Sequence, residues 1–199
     1  GGVWKTTNGG VNWFALTDDN DVLGVSTIAL HPNYTTNQTL FIGTGDRDGG
    51  SMWSLGGGQS NDNNGIGILK STDDGNTWST TGLSFTTSQK VTINEILIDP
   101  NNASIMIAAT SNGIYKSSDG GVSWTLKTNN LKFVDMAFKP GSFSTIYAST
   151  SSWSDSKIYK STDKGDNWSE VHSVTGRRIQ LAVSLNNASI VYALAANDT

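Results

Sequence analysis

Short apolar runs alternate with polar, turn-forming residues along the whole chain, and they come in pairs. The first member of each pair reads I-A-L-H-P at 28–32, I-L-I-D-P at 96–100, M-A-F-K-P at 136–140 and L-A-V-S-L-N at 181–186. The second reads L-F-I-G-T at 40–44, I-M-I-A-A-T at 105–110, I-Y-A-S-T at 146–150 and I-V-Y-A-L at 190–194. Runs of this length, bounded by Pro, Asn or Gly, predict strands joined by tight turns. No stretch carries a sustained helical period.

A third apolar run, ending in lysine, follows at V-W-K, I-L-K, I-Y-K and I-Y-K, and each leads into the same eight-residue pattern. It reads T-T-N-G-G-V-N-W at 6–13, S-T-D-D-G-N-T-W at 71–78, S-S-D-G-G-V-S-W at 117–124 and S-T-D-K-G-D-N-W at 161–168. The oxygen at its third position (Asn8, Asp73, Asp119, Asp163) is suited to accept backbone N–H groups of its own loop. The glycine two residues later (Gly10, Gly75, Gly121, Gly165) supplies a backbone conformation other residues avoid. The closing tryptophan (Trp13, Trp78, Trp124, Trp168) is expected to open the next strand and to pack its ring into the sheet. The repeating unit is strand A, turn, strand B, loop, strand C, patterned turn, strand D. Four strands in roughly 45 residues match a propeller blade.

The pattern S/T-x-D-x-G-x-x-W resembles the Asp-box, or bacterial neuraminidase, repeat, which occurs in sialidases, xyloglucan hydrolases, sortilin-type receptors and a photosystem assembly factor. The resemblance covers nearly the whole chain. It implies an all-β fold, a β-propeller of four-stranded antiparallel blades with Asp-box turns. It implies no single activity, because these families share the turn and not the chemistry. The Asn/Ser/Thr-rich style, with long Gly-Asp insertions, is similar to multidomain proteins secreted by bacteria, so a secreted or cell-surface location is expected.

The expected organisation is one propeller segment over 1–199: strands C and D of one blade at 1–16, a blade at 24–83 with a long insertion at 43–65, blades at 91–126 and 132–170, and strands A and B of a further blade at 178–199. The end strands would either clasp into a fourth blade or belong to a partial set cut from a larger ring; the larger ring is the expectation. The opening Gly1-Gly2-Val3-Trp4, neither a start methionine nor a signal peptide, points the same way.

Composition narrows the function classes. With 13 Lys+Arg against 17 Asp+Glu the net charge is -4, which leaves no basic footprint for nucleic acid. No run is long enough to insert in a membrane. The absence of cysteine removes disulfides, thiolate metal sites and cysteine nucleophiles.

Topology places the A–B and patterned C–D turns at one end of the blades and the B–C and D–A connections at the other. The patterned carboxylates are therefore expected to be structural. The residues that do not repeat lie at the other end: Arg47 and Trp53 in the long insertion, Trp153 in a later B–C loop, and Arg177 and Arg178 before the last strand pair. A loop tryptophan is a platform for a sugar ring or an anchor for a protein partner. Aligning the A strands on their prolines gives a polar column, Thr27, Glu95, Asp135 and Gln180. Glu95 and Asp135, in neighbouring blades, form a candidate acid and base for a glycosidic bond. The alternative for this column is hydrogen bonding between blades. No cofactor is expected beyond a Ca²⁺, for which Asp46, Asp48 and Asp62 are the candidate oxygen ligands. His31 and His172 lack metal spacing. The three arginines and the strand positions of Tyr115, Tyr147, Tyr159 and Tyr192 do not fit a sialidase, whose resemblance implies three arginines around a carboxylate and a tyrosine nucleophile.

The leading expectation is an extracellular binding module for a glycan or protein, non-catalytic by itself, attached to the rest of its propeller or to flanking domains. The alternative is part of a glycoside hydrolase acting on polysaccharide.

Overall fold

A computed structural model describes residues 2–18, 24–46, 65–128, 130–152 and 154–196. Its strands are β1 (Trp4–Lys5), β2 (Phe14–Ala15), β3 (Val25–Leu30), β4 (Leu40–Thr44), β5 (Gly67–Ser71), β6 (Ser79–Ser84), β7 (Ile93–Asp99) and β8 (Asn102–Thr110). They continue as β9 (Gly113–Ser117), β10 (Thr125–Leu126), β11 (Phe133–Lys139), β12 (Ser142–Thr150), β13 (Asp155–Ser161), β14 (Ser169–Thr175), β15 (Arg178–Val183) and β16 (Val191–Ala196). Three four-stranded antiparallel meanders result, β3 to β6, β7 to β10 and β11 to β14, flanked by the two-stranded sheets β1–β2 and β15–β16. The fold is all-β, a partial propeller. Among the described residues the two flanking sheets are not hydrogen-bonded to one another.

Alternation along each strand builds the core. On β8, Met106 and Ala108 point to the preceding sheet and Ile107 and Ala109 to the following one, as the two-residue period of a strand requires. Met106 and Ala108 join Phe41, Ile68, Ile93 and Ile96 between the first two full sheets. Ile107 and Ala109 join Ile114, Phe133, Met136 and Ile146 between the second and third. A smaller cluster of Ile158, Ile179 and Leu181 seats β15–β16 on the third sheet.

The patterned turn behaves as its residue types require. Oδ1 of Asp73, Asp119 and Asp163 accepts the backbone N–H four residues on, at 2.8, 2.9 and 2.9 Å, and the Asn8 amide oxygen does the same for Asn12 at 2.9 Å. The hydroxyl at the first position adds a second tie: Thr6, Ser71, Ser117 and Ser161 accept the N–H of Gly10, Gly75, Gly121 and Gly165 at 2.8–2.9 Å. The four glycines have φ between +81° and +93°, and the residue before each is also left-handed. At Asp74 and Lys164 a non-glycine residue bears that conformation.

The tryptophans differ from expectation. Each precedes its strand by one residue, and the rings of Trp124 and Trp168 pack not into their own sheet but against the cluster shared with the sheet before it. The indole N–H of Trp13, Trp124 and Trp168 donates to the carbonyl of the turn glycine, each at 3.1 Å, whereas Trp78 reaches Leu16 O of the preceding half-blade at 2.9 Å. Trp13 is 55% exposed. A second difference is a one-turn helix, α1 (Tyr34–Asn37), in the first full A–B turn, closed by Gln38 in the left-handed region. The Tyr34 hydroxyl donates to the Asp74 carboxylate, which also pairs with Lys5.

These turns make stability acid-sensitive. Asp73 and Asp119 are lowered to about 2, chiefly by the hydroxyls of Thr77 and Ser123, and Asp163 to about 2, chiefly by the Asn167 N–H. An unfolded aspartate titrates near about 3.9. The folded value is the lower one, so the contribution is complete above about pH 4 and is lost as pH falls toward about 2. Urea midpoints should therefore decline steeply over that window. A triple variant carrying Asp73→Asn, Asp119→Asn and Asp163→Asn, which keeps the acceptor as Asn8 does, should decline less steeply. Identical slopes in variant and parent would refute the assignment.

Candidate functional site

The B–C and D–A connections meet at the end opposite the patterned turns. Each B strand of the full sheets finishes in a threonine that closes this end. The Thr44 hydroxyl donates to Gly67 O at 2.6 Å, Thr110 to Gly113 O at 2.8 Å and Thr150 to Lys157 O at 3.4 Å. Thr44 and Thr150 also accept the N–H of Ile66 and Lys157, each at 2.8 Å. Sequence reasoning passed over these residues, although the terminal threonine of L-F-I-G-T, I-A-A-T and I-Y-A-S-T was a usable signal.

Three connections converge on a cleft of about 180 Å³ lined by Lys132, Ser151, Ser152 and Arg177. Lys132 leads into β11, the serines follow β12, and Arg177 precedes β15. The backbone pins them together: Ser151 N–H donates to Lys132 O at 2.9 Å, and the Ser151 hydroxyl and Ser152 N–H donate to Arg177 O at 2.8 and 3.1 Å. The walls thus combine two cationic side chains with hydroxyls on a fixed backbone frame. Arg178, next in sequence, faces a separate hollow of about 350 Å³ with Gln180 and the end of β16. The two arginines therefore serve different surfaces.

The polar column lies on the inner strands β3, β7, β11 and β15, which run side by side. A β-bulge immediately precedes Thr27, Glu95 and Asp135, turning each of them toward a neighbouring sheet. The Thr27 hydroxyl donates to Glu95 Oε1 at 3.3 Å, and Asp135 Oδ2 accepts Leu181 N–H at 2.6 Å. The bulge residue Asn94 adds a link, its amide donating to Phe133 O. Asp135 is buried, Glu95 half-buried and Gln180 exposed. Both carboxylates take part in contacts between sheets, the second role considered for this column.

Asp46 stands exposed just past the end of β4. Arg47, Asp48, Trp53, Asp62 and Trp153 lie outside the described residues, and among the described residues no group of three or more His, Asp or Glu side chains is gathered to hold a metal. His31 Nδ1 accepts the N–H of Asn33 at 3.1 Å, and His172 is exposed on β14. No helix among the described residues is long and apolar enough to cross a membrane.

No family model matches the chain. A curated xyloglucanase from Paenibacillus sp is 28% identical over 206 aligned residues, covering 86% of this chain and 19% of its own length. Among solved structures, an ancestral GH74 enzyme superposes with a TM-score of 0.63 at 20% identity, over 85% of this chain and 21% of that one. The GH74 xyloglucanase from Xanthomonas campestris gives 0.61 at 18% identity, over 91% and 28%. The structural likeness shows a shared propeller fold. The chain spans about a fifth of the length of the curated relative it matches.

Proposed function

We propose that the chain is a share of the propeller of a secreted glycoside hydrolase acting on a xyloglucan-type polysaccharide, and that it contributes a glycan-binding wall at its loop-bearing end. The similarity to the Paenibacillus xyloglucanase over most of the chain carries this reading. The cleft of Lys132, Ser151, Ser152 and Arg177 supports it, because hydroxyls and cationic donors on a rigid frame suit the oxygen-rich surface of a sugar chain. Glu95 and Asp135 are its acid–base candidates.

A second reading, glycan binding without turnover, is favoured by the Asp135 contact. A carboxylate that is buried and accepts a neighbouring backbone N–H is held as a structural tie. One set of measurements separates the two. In the protein carrying this chain, Arg177→Ala should weaken retention on xyloglucan in affinity electrophoresis by about fivefold or more, in line with loss of a charged hydrogen bond. The pair Glu95→Gln with Asp135→Asn should abolish release of reducing ends while retention persists. Turnover that survives the double substitution leaves binding as this chain's share. Absence of retention by the unsubstituted protein rules out both.

A further inference from the structure

The cleft between Lys132, Ser151, Ser152 and Arg177 runs against the overall charge of the chain. With 17 acidic and 13 basic residues the protein is net negative, yet this lining holds two cations and no carboxylate. Asp155, whose backbone bridges to Gly176, does not line it. Resting on the reading of the loop-bearing end as a glycan-binding wall, we infer that this cleft is a subsite for a carboxylate-bearing sugar. The unit it takes is a uronic-acid branch on the polysaccharide.

The backbone keeps the two cationic segments together. All four lining residues belong to connections inside the chain, between strands that are themselves paired. Ser151 forms a β-bridge with Arg178, and Asp155 forms another with Gly176. Ser152 N–H reaches the Ser156 hydroxyl at 3.2 Å as well as Arg177 O at 3.1 Å, and Gly176 N–H donates to Ser154 O at 3.2 Å. Holding two like charges beside one small hollow costs electrostatic energy, which an anion between them recovers. The carbonyl oxygens that would repel such an anion are already engaged. Lys132 O accepts the Ser151 N–H at 2.9 Å, and Arg177 O accepts the Ser151 hydroxyl at 2.8 Å. The Ser152 hydroxyl accepts the Ser154 N–H at 3.4 Å and keeps its own proton to donate.

Size and shape narrow the ligand. At about 180 Å³ the cleft is smaller than the roughly 300 to 1,000 Å³ of pockets that enclose whole ligands, so it receives one unit of a longer chain. A planar carboxylate matches the planar fork of the Arg177 guanidinium with two parallel bonds, while the Lys132 ammonium supplies a compact point charge. The Ser152 hydroxyl suits a ring hydroxyl of the same unit. A neutral sugar uses only the hydrogen bonds; a uronate uses both charges as well.

Calorimetric titration of the protein carrying this chain reads the difference. The probes are neutral xyloglucan and the same polymer with its primary hydroxyls oxidised to carboxylates. At low salt the carboxylated polymer should bind about tenfold tighter, in line with charge-assisted hydrogen bonds, and about 0.5 M salt should shrink that preference. Free glucuronate should compete with the carboxylated polymer better than glucose does at the same concentration. In the double variant Lys132→Gln/Arg177→Gln, which keeps amide donors and loses both charges, the two polymers should bind alike, with circular dichroism checking the fold. Lys160→Gln, which removes a charge beside a patterned turn at the other end, should leave the preference unchanged. Equal affinity of the unsubstituted protein for the two polymers overturns the carboxylate subsite and leaves glycan binding standing, as does glucose competing as well as glucuronate. A preference that survives in the folded double variant also overturns the subsite. Binding of neither polymer overturns the glycan reading itself, and the subsite with it.

Discussion

Replacing Phe133 by alanine is expected to destabilise the chain by about 3 to 5 kcal/mol, the range for emptying a large aromatic site in a packed core. Phe133 is fully buried at the start of β11, among Ile107, Ile114 and Ile146 from two sheets. Its ring meets Tyr159 edge-on with centroids 5.3 Å apart. The neighbours are strand residues fixed by ladders on both sides, so little collapse into the void is available. Urea denaturation of the variant should show a lower midpoint with an unchanged slope, the sign of lost stability with an intact two-state transition. Leu185→Ala, at a site 84% exposed, is the control and should stay within about 0.5 kcal/mol. A Phe133→Ala loss below about 1 kcal/mol would show that the second and third sheets do not share a core.

Gly82→Ala is expected to cost about 3 kcal/mol, the upper part of the range for overpacking. Gly82 lies on β6 with an ordinary backbone conformation, so the reason for glycine is space. An added methyl carbon would sit 2.0 Å from Val122 O and 2.7 Å from Val122 C, in the patterned turn of the next sheet. These are backbone atoms that no rotamer change can move. The Gly82 N–H donates to Gly121 O at 3.0 Å, so pushing the turn away also breaks that bond. Trp124 closes the displaced turn, and its fluorescence should shift to the red as the ring loses cover. Thr80→Ala, an exposed neighbour on the same strand, should leave both stability and emission within about 0.5 kcal/mol and unchanged, respectively. An unperturbed Gly82→Ala would mean the two sheets stand further apart than described.

What could be read from the residues alone was whatever depends on near neighbours in the chain. The turn was legible because its bonds span two to four residues: Ser71 to Asp73, Ser71 to Gly75, Asp73 to Thr77. Strand order was legible because the pattern recurs, and one meander, once recognised, gives the others. Contacts between sheets were not. Glu95 and Asp135 occupy the same column, yet one accepts a threonine hydroxyl and the other a backbone N–H, because what stands opposite belongs to a segment 68 residues away in the first case and 46 in the second. The tryptophan rings reach the preceding sheet for the same reason: the repeat specifies where a ring starts, and the neighbouring sheet decides where it rests. The buried ammonium of Lys116 gave no sign in sequence of its bond to Asp166, which lies below the usual carboxylate range chiefly through Lys116 and also through Lys127. The candidate site was legible only as the set of positions that do not repeat. Arg177 does fall in a cleft, while its partners Lys132, Ser151 and Ser152 are ordinary polar residues until the fold gathers them.

At the turn-bearing end, each patterned corner after the first is tied to the sheet before it, among the described residues. Asp74 takes Lys5, the Gly121 carbonyl takes Gly82, Asp166 takes Lys116 and Lys127, and Lys164 reaches back to Asp99 at 2.9 Å. Tandem gene duplication is therefore tolerated in one sense: a copied unit carries with it the corner that grips its predecessor. Exchanging single corners between units would mismatch them, because the ties differ: an ion pair to Lys5 at one seam, a backbone bond to Gly82 at the next and ion pairs to Lys116 and Lys127 at the third. Arrays of this kind can lengthen by whole repeats far more readily than they can exchange parts.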